Sequence, residues 1–197
     1  MSGAPVHASP QGALPLEQRL VFSHTVEGLF AQAMKGRVTE RLKQRLRTEA
    51  QLDLDKKIEP AIPLTRWNRC VELCAEELFG DLPLEAALQK IGYLHTRGYF
   101  ETFIGRALSG VLKVIGPARA LARMDRSFRS GNNYSEVKVT ELAPRHFRFW
   151  CNDLGLARFV VLGVLSAGAE VAGAKNLKSE VTHFDDQGCT IELEWDA

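Results

Sequence analysis

The chain has 197 residues, 45% of them hydrophobic, with 25 basic against 24 acidic side chains and a formal net charge of +1. That balance excludes bulk attraction to nucleic acid or to an anionic membrane, and the length allows one large domain or two very small ones. There is no uncharged apolar run of the roughly 18 residues that a transmembrane helix needs, and four cysteines at 70, 74, 151 and 189 show no paired secretory spacing, so a reducing cytoplasm is expected.

Residues 1–15 are rich in Pro, Gly, Ala and Ser and predict a disordered lead, with one α+β domain over 16–197. Leu20–Ser23 reads as a brief extended entry. Val26, Leu29, Phe30, Ala33 and Met34 share one face of a helix over Thr25–Lys35, which Gly36 stops. A second helix over Val38–Ala50 buries Val38, Leu42 and Leu46 and turns Arg41, Lys43, Arg45 and Arg47 outward. Its basic side reads as a solvated face or a docking face for an acidic partner. Leu52–Pro63 is an extended connector.

Thr65 then caps a helix to about Phe79. Trp67, Cys70, Val71, Cys74 and Leu78 fall on one stripe, so both cysteines read as core residues rather than metal ligands. A long helical stretch follows from Pro83 to about Ile115, broken by Gly92, Gly98, Gly105 and Gly110. Each mid-helix glycine costs about 1 kcal/mol against alanine, so their recurrence predicts close backbone packing or a bend. His95 lies four residues from both Ile91 and Tyr99, the place of a hydrogen-bonded core histidine, with an axial haem ligand as the alternative. Gly116-Pro117 opens a further helix on which Arg119, Arg123, Arg126 and Arg129 form a basic stripe. A stripe of this kind is a solvated helix back or a site for an acidic partner.

From Tyr134 the period changes to two. Strands are expected over Tyr134–Leu142 and Arg145–Cys151, then an apolar helix over Leu156–Ala174, then strands over Leu177–Phe184 and Cys189–Trp195. Strand, strand, helix, strand, strand predicts a small antiparallel sheet under a helical layer, an α+β fold. The helix Leu156–Ala174 carries more apolar surface than that sheet covers, which predicts a homodimer or a heterodimer with a paralogue. The alternative is that the N-terminal helices cover it within one chain. No metalloprotease, serine-hydrolase or nucleotide-binding motif is present.

The segments Thr25–Arg37, Gly98–Gly105, Phe128–Tyr134 and Gly188-Cys189-Thr190 with Trp195 together resemble a myxobacterial paralogous family of unknown function, over nearly the whole chain. That resemblance implies no activity. More distantly, the architecture is similar to a group holding haem-NO-binding domains, vinyl-reductase-type domains and TRAPP subunits. Likeness to that group implies a role as sensor, small-ligand binder or assembly subunit. Its haem-propionate pattern, Tyr-x-Ser-x-Arg, is echoed only in part by Tyr134-Ser135-Glu136-Val137-Lys138, and the cysteine-rich C-terminal pattern is lacking, so no cofactor or metal is expected.

The reading that results is a non-enzymatic signalling or scaffold module with a protein partner and a small apolar pocket. The pocket is expected between the glycine-rich helix and the sheet, lined by Tyr93, His95, Tyr99, Phe103 and Trp150. A haem-based gas sensor and an enzyme with dispersed catalytic residues are the alternatives.

Overall fold

The architecture, taken from a computed structural model, is described for residues 14–196, without the side chains of residues 125 and 126. The predicted lead over 1–15 therefore falls almost wholly outside the described residues. Leu20–Phe22 (β1) pairs antiparallel with Ala61–Pro63 (β2), which pins the entry of the chain to the end of the connector. Between them lie Ser23–Glu27 (α1), a π-helical stretch over Gly28–Ala33, and Glu40–Glu49 (α2). The expected single helix over 25–35 is thus an α-turn that widens into a π-turn. Thr39 caps α2, accepting a 3.1 Å hydrogen bond from the Leu42 N–H. The basic face of α2 is occupied within the chain. Arg45 pairs with Glu49, Glu76 and Glu77, Arg41 with Glu77, and Arg47 with Asp53 and Asp55.

Leu64–Leu78 (α3) starts directly after Pro63 rather than at Thr65, and buries Trp67, Cys70 and Cys74. The stretch expected to run from Pro83 to Ile115 is two helices, Leu84–Glu101 (α4) and Phe103–Leu121 (α5). Thr102 leaves the helical region, and its hydroxyl caps α5 by accepting from the Gly105 N–H at 3.0 Å. Gly116, at φ 79°, kinks α5 just before Pro117, a conformation glycine adopts without penalty. Met124–Gly131 (α6) leads into the sheet half.

Val137–Ala143 (β3), His146–Cys151 (β4), Lys175–Phe184 (β5) and Cys189–Asp196 (β6) form one antiparallel sheet in the order β3-β4-β6-β5. Ala157–Val171 (α7) crosses from β4 to β5. One face of the sheet buries Phe147, Phe149, Cys151, Cys189, Ile191, Leu193 and Trp195, the alternation expected of a half-covered antiparallel sheet. The fold class is α+β.

The layers are sheet, α7, then α4 with the remaining helices. Alpha-7 lies in backbone contact with α4. A Cβ on Gly163 would collide with the Gln89 carbonyl oxygen, and one on Gly92 with the Val160 carbonyl oxygen. Gly98 gives α4 a second close approach, where a Cβ would stand 2.6 Å from the Ala33 Cα. Gly92, Gly98 and Gly163 are therefore contact points between helices, whereas Gly110 faces open space. The sheet on one side and α4 on the other bury α7 from Val161 to Ala169, apart from the partly covered Val164. Much of the apolar surface behind the dimer expectation is covered by the chain's own α4, and part of the rest lines the cavity described below.

Candidate functional site

A cavity of about 800 Å³ opens on the helical side of the molecule. That is ample for a small ligand, since such sites run to roughly 300–1,000 Å³. It is bounded by α3, α4, α5, α6, α7 and the loop after β4. Trp67, Leu88, Leu112, Ile115 and Val161 make the apolar wall, and Arg19, Asn132, Tyr134 and Asp153 gather a polar end. The predicted location differs: α7 fills the space between α4 and the sheet, so the cavity lies beyond α7 and no sheet strand lines it.

His95 and Tyr99 belong to the wall, while Tyr93, Phe103 and Trp150 do not. Tyr93 points to the outside of the α4–α7 crossing and donates a 2.6 Å hydrogen bond to the Glu170 carboxylate. Phe103 opens α5 and is 83% exposed. Trp150 alternates onto the solvent face of the sheet, where the Lys138 ammonium sits 5.1 Å from its ring centroid. The aromatic spacing on the sequence groups these residues, but the break at Thr102 and the position of α7 separate them in space.

His95 is held rather than free. Its ring is bonded to the Thr25 backbone carbonyl and stacks at a tilt on Trp67, centroids 6.3 Å apart. Its Nε2 faces Gly28, where a Cβ would come within 3.2 Å. Burial lowers its pKa to about 4, so the ring is neutral at physiological pH. The native state takes up its proton only below the unfolded value near 6.5. Between those two values the unfolded chain binds more protons, so stability is full above pH 6.5 and falls as pH drops toward 4. The slope is at most about 1.4 kcal/mol per pH unit. Urea unfolding across this window is expected to show the decline, and His95→Gln to flatten it.

The polar end was invisible to the sequence reading, because its members lie far apart in the chain. Arg19 is only 7% exposed. Its Nε donates to the Leu14 carbonyl at 2.9 Å, its Nη1 to the Asn152 carbonyl at 3.4 Å, and its guanidinium lies 5.5 Å from the Tyr134 ring centroid. The Tyr134 hydroxyl donates to Asp153 at 3.2 Å. Burial raises the pKa of Asp153 and of Tyr134. The only local signal for this group was Tyr134 itself, in the partial propionate pattern. The later positions of that pattern lead elsewhere: Lys138 is on the far face of the sheet over Trp150.

Of the basic stripe, Arg119, Arg123 and Arg129 are exposed, and Arg123 borders the cavity mouth. The side chain of Arg126 lies outside the described residues. Among the described residues, no three of His, Cys, Asp and Glu come together as a metal-binding group. None of the described helices is long and apolar enough to cross a membrane.

A family model described as a protein of unknown function, DUF2378, matches residues 19–196. No curated protein matches the chain in sequence. Solved structures match in shape at low identity. An oxygen-binding H-NOX domain related to soluble guanylate cyclases aligns with a TM-score of 0.65 at 10% identity, covering 88% of this chain and 94% of that one. An H-NOX mutant from T. tengcongensis aligns at 0.63 and 9% identity, covering 89% and 97%. An unliganded Fe(II) H-NOX mutant from K. algicida aligns at 0.61 and 13% identity, covering 87% and 94%. At these identities the likeness is one of fold.

Proposed function

Because the chain belongs to the DUF2378 family, which carries no assigned activity to transfer, we propose from the cavity itself that it is a non-enzymatic sensor or signalling module that binds a small apolar ligand. The observation that carries this is the cavity of about 800 Å³ walled by Trp67, Leu112 and Ile115. An open cleft of that size with mostly apolar walls leaves apolar surface against water that a ligand of matching chemistry would cover. Alpha-5 supports a protein partner. It borders the cavity through Leu108, Val111, Leu112 and Ile115, yet leaves Phe103, Ile104 and Val114 between 70% and 86% exposed. An apolar helix face rimmed by Arg119 and Arg123 is the kind of surface a partner protein covers, and a ligand beneath the same helix would alter it.

A haem-based gas sensor is the second reading, and the H-NOX fold is what favours it. The residues present do not fit haem. His95 is packed against the Trp67 ring with its Nε2 toward Gly28, and the other histidine on the cavity wall among the described residues, His24, is on the exposed side of α1. Glu136 and Lys138 stand where the propionate pattern has Ser and Arg, and Lys138 is engaged over Trp150.

Trp67 provides the test, because it lines the cavity while Trp150 and Trp195 do not. Titration with a brominated medium-chain alcohol, a contact quencher of indole, is expected to give saturable quenching that disappears in Trp67→Phe. Quenching that never saturates, or that survives the substitution, removes the ligand reading. Hemin added to the same protein is expected to elute separately on gel filtration. A Soret band that stays with the protein and is lost in His95→Ala would establish the haem reading instead.

A further inference from the structure

Cys151 and Cys189 are the last residue of β4 and the first of β6, and they are register partners in the antiparallel ladder. Their sulfurs lie 3.4 Å apart, and both residues are buried. Directly opposed residues in such a ladder have Cα atoms about 4.5 or 5.5 Å apart, inside the range of about 4.4–6.8 Å that a disulfide requires. No strand has to move far to close the bond. The other cysteine pair, Cys70 and Cys74, is one turn apart on a rigid helix in a different core cluster.

We propose that Cys151 and Cys189 are a redox-active dithiol, closed to a cross-strand disulfide by low-molecular-weight disulfides such as oxidised glutathione, and that closure alters the cavity. In the first step one cysteine, as thiolate, attacks a sulfur of glutathione disulfide. The glutathione S–S bond breaks, one glutathione thiolate leaves, and a protein–glutathione disulfide forms. The second cysteine then gives up its proton and attacks the protein sulfur of that mixed disulfide. A Cys151–Cys189 bond forms as the second glutathione leaves. The protein dithiol loses two electrons and two protons, and glutathione disulfide gains both to become two thiols. Entry of the reagent is through the end of the sheet. The pair occupies the terminal rung of the β4–β6 ladder, and strand ends open at a lower free energy than strand centres. The hydrogen bond with Cys189, burial and the nearby Asp153 charge hold the Cys151 thiol protonated, so the reaction is slow and the equilibrium, rather than the rate, is the quantity to measure.

The link to the cavity is covalent and short. Asn152 follows Cys151 directly. Its side chain bonds the Glu136 N–H at 2.9 Å and the Tyr134 carbonyl at 2.8 Å, and its own carbonyl accepts from Arg19. Asp153 and Leu154, next along, are in the cavity wall. Drawing Cys151 toward Cys189 therefore shifts the residue that positions Tyr134 and Arg19, and removes a thiol beside Asp153. This second half of the proposal rests on the ligand reading above, whereas formation of the bond does not.

The full chain, equilibrated in glutathione buffers of graded redox ratio and then alkylated under denaturing conditions, gives the test. A linked peptide pair containing Cys151 and Cys189, lighter by two hydrogens and reversed by dithiothreitol, is expected. It should persist in the Cys70→Ser, Cys74→Ser double variant and vanish in Cys151→Ser and in Cys189→Ser. Full alkylation of both residues in the most oxidising buffer in which circular dichroism still shows the fold overturns the proposal. Repeating the Trp67 quenching titration on both redox forms is expected to shift the apparent Kd at least about threefold. Equal affinities overturn the coupling, and absence of binding in either form overturns the ligand reading while leaving the disulfide standing.

Discussion

Gly163→Ala is expected to cost at least about 3 kcal/mol of stability, the upper part of the range for overpacking a well-packed core. The reason is that the new Cβ would meet backbone, not a side chain that can rotate away. The Gln89 carbonyl oxygen blocks it directly, and the Tyr93 nitrogen would lie 2.7 Å away. Relief requires α4 and α7 to separate along their whole contact. Gly110→Ala is the matched control. Nothing lies within 4 Å of a Cβ there, and the residue is inside α5, so the change is expected to stabilise by about 0.5–1 kcal/mol through helix propensity. Urea unfolding of both variants checks the pair. A Gly163→Ala protein as stable as the parent would mean that the two helices do not touch as described.

Phe149→Ala is expected to destabilise by about 3–5 kcal/mol, the usual cost of emptying a phenylalanine site in a core. Phe149 is fully buried. It stands opposite Val139 on β3 and Ile191 on β6, with the Phe128 ring of α6 at 5.4 Å. A void at that point removes contacts from three strands and a helix together. Phe103→Ala should stay within roughly 0.5 kcal/mol of the parent, because Phe103 is exposed and surface substitutions seldom do more. Thermal melts of the two variants separate a structural phenylalanine from one free to serve a partner.

Period-two alternation located β4 and β6 to within a residue, because each has one face on the core and one in solvent, while β3 begins at Val137, three residues after the expected start. The same rule was right for Trp150 and the pocket grouping was not: counted with the cavity aromatics, Trp150 belongs by alternation to the open face, opposite the buried Phe149 and Cys151. The helices around α4 were legible as helices, but their division at Thr102 was not. A threonine cap inside an apolar stretch looks like any other polar residue until the Gly105 N–H is found on its hydroxyl. The glycines of α4 and α7 announced close packing without naming the partner. Gly92 and Gly163 answer to each other across 71 residues, a pairing that no local pattern contains. The polar end of the cavity was hidden for the same reason, being assembled from Arg19, Tyr134 and Asp153.

That wide separation also sets the order in which the molecule can assemble. During synthesis α4 emerges before α7 exists, and the strip of α4 containing Gly92 has no cover until α7 is made. Likewise the N–H of Leu20 waits for the side chain of Asn133, which accepts from it at 2.8 Å. Loop closures of this span must be completed before their contacts contribute, which slows folding relative to a bundle built from neighbours. The nascent helical half thus exposes an apolar seam, and with it an aggregation hazard, until the last third of the chain arrives to close it.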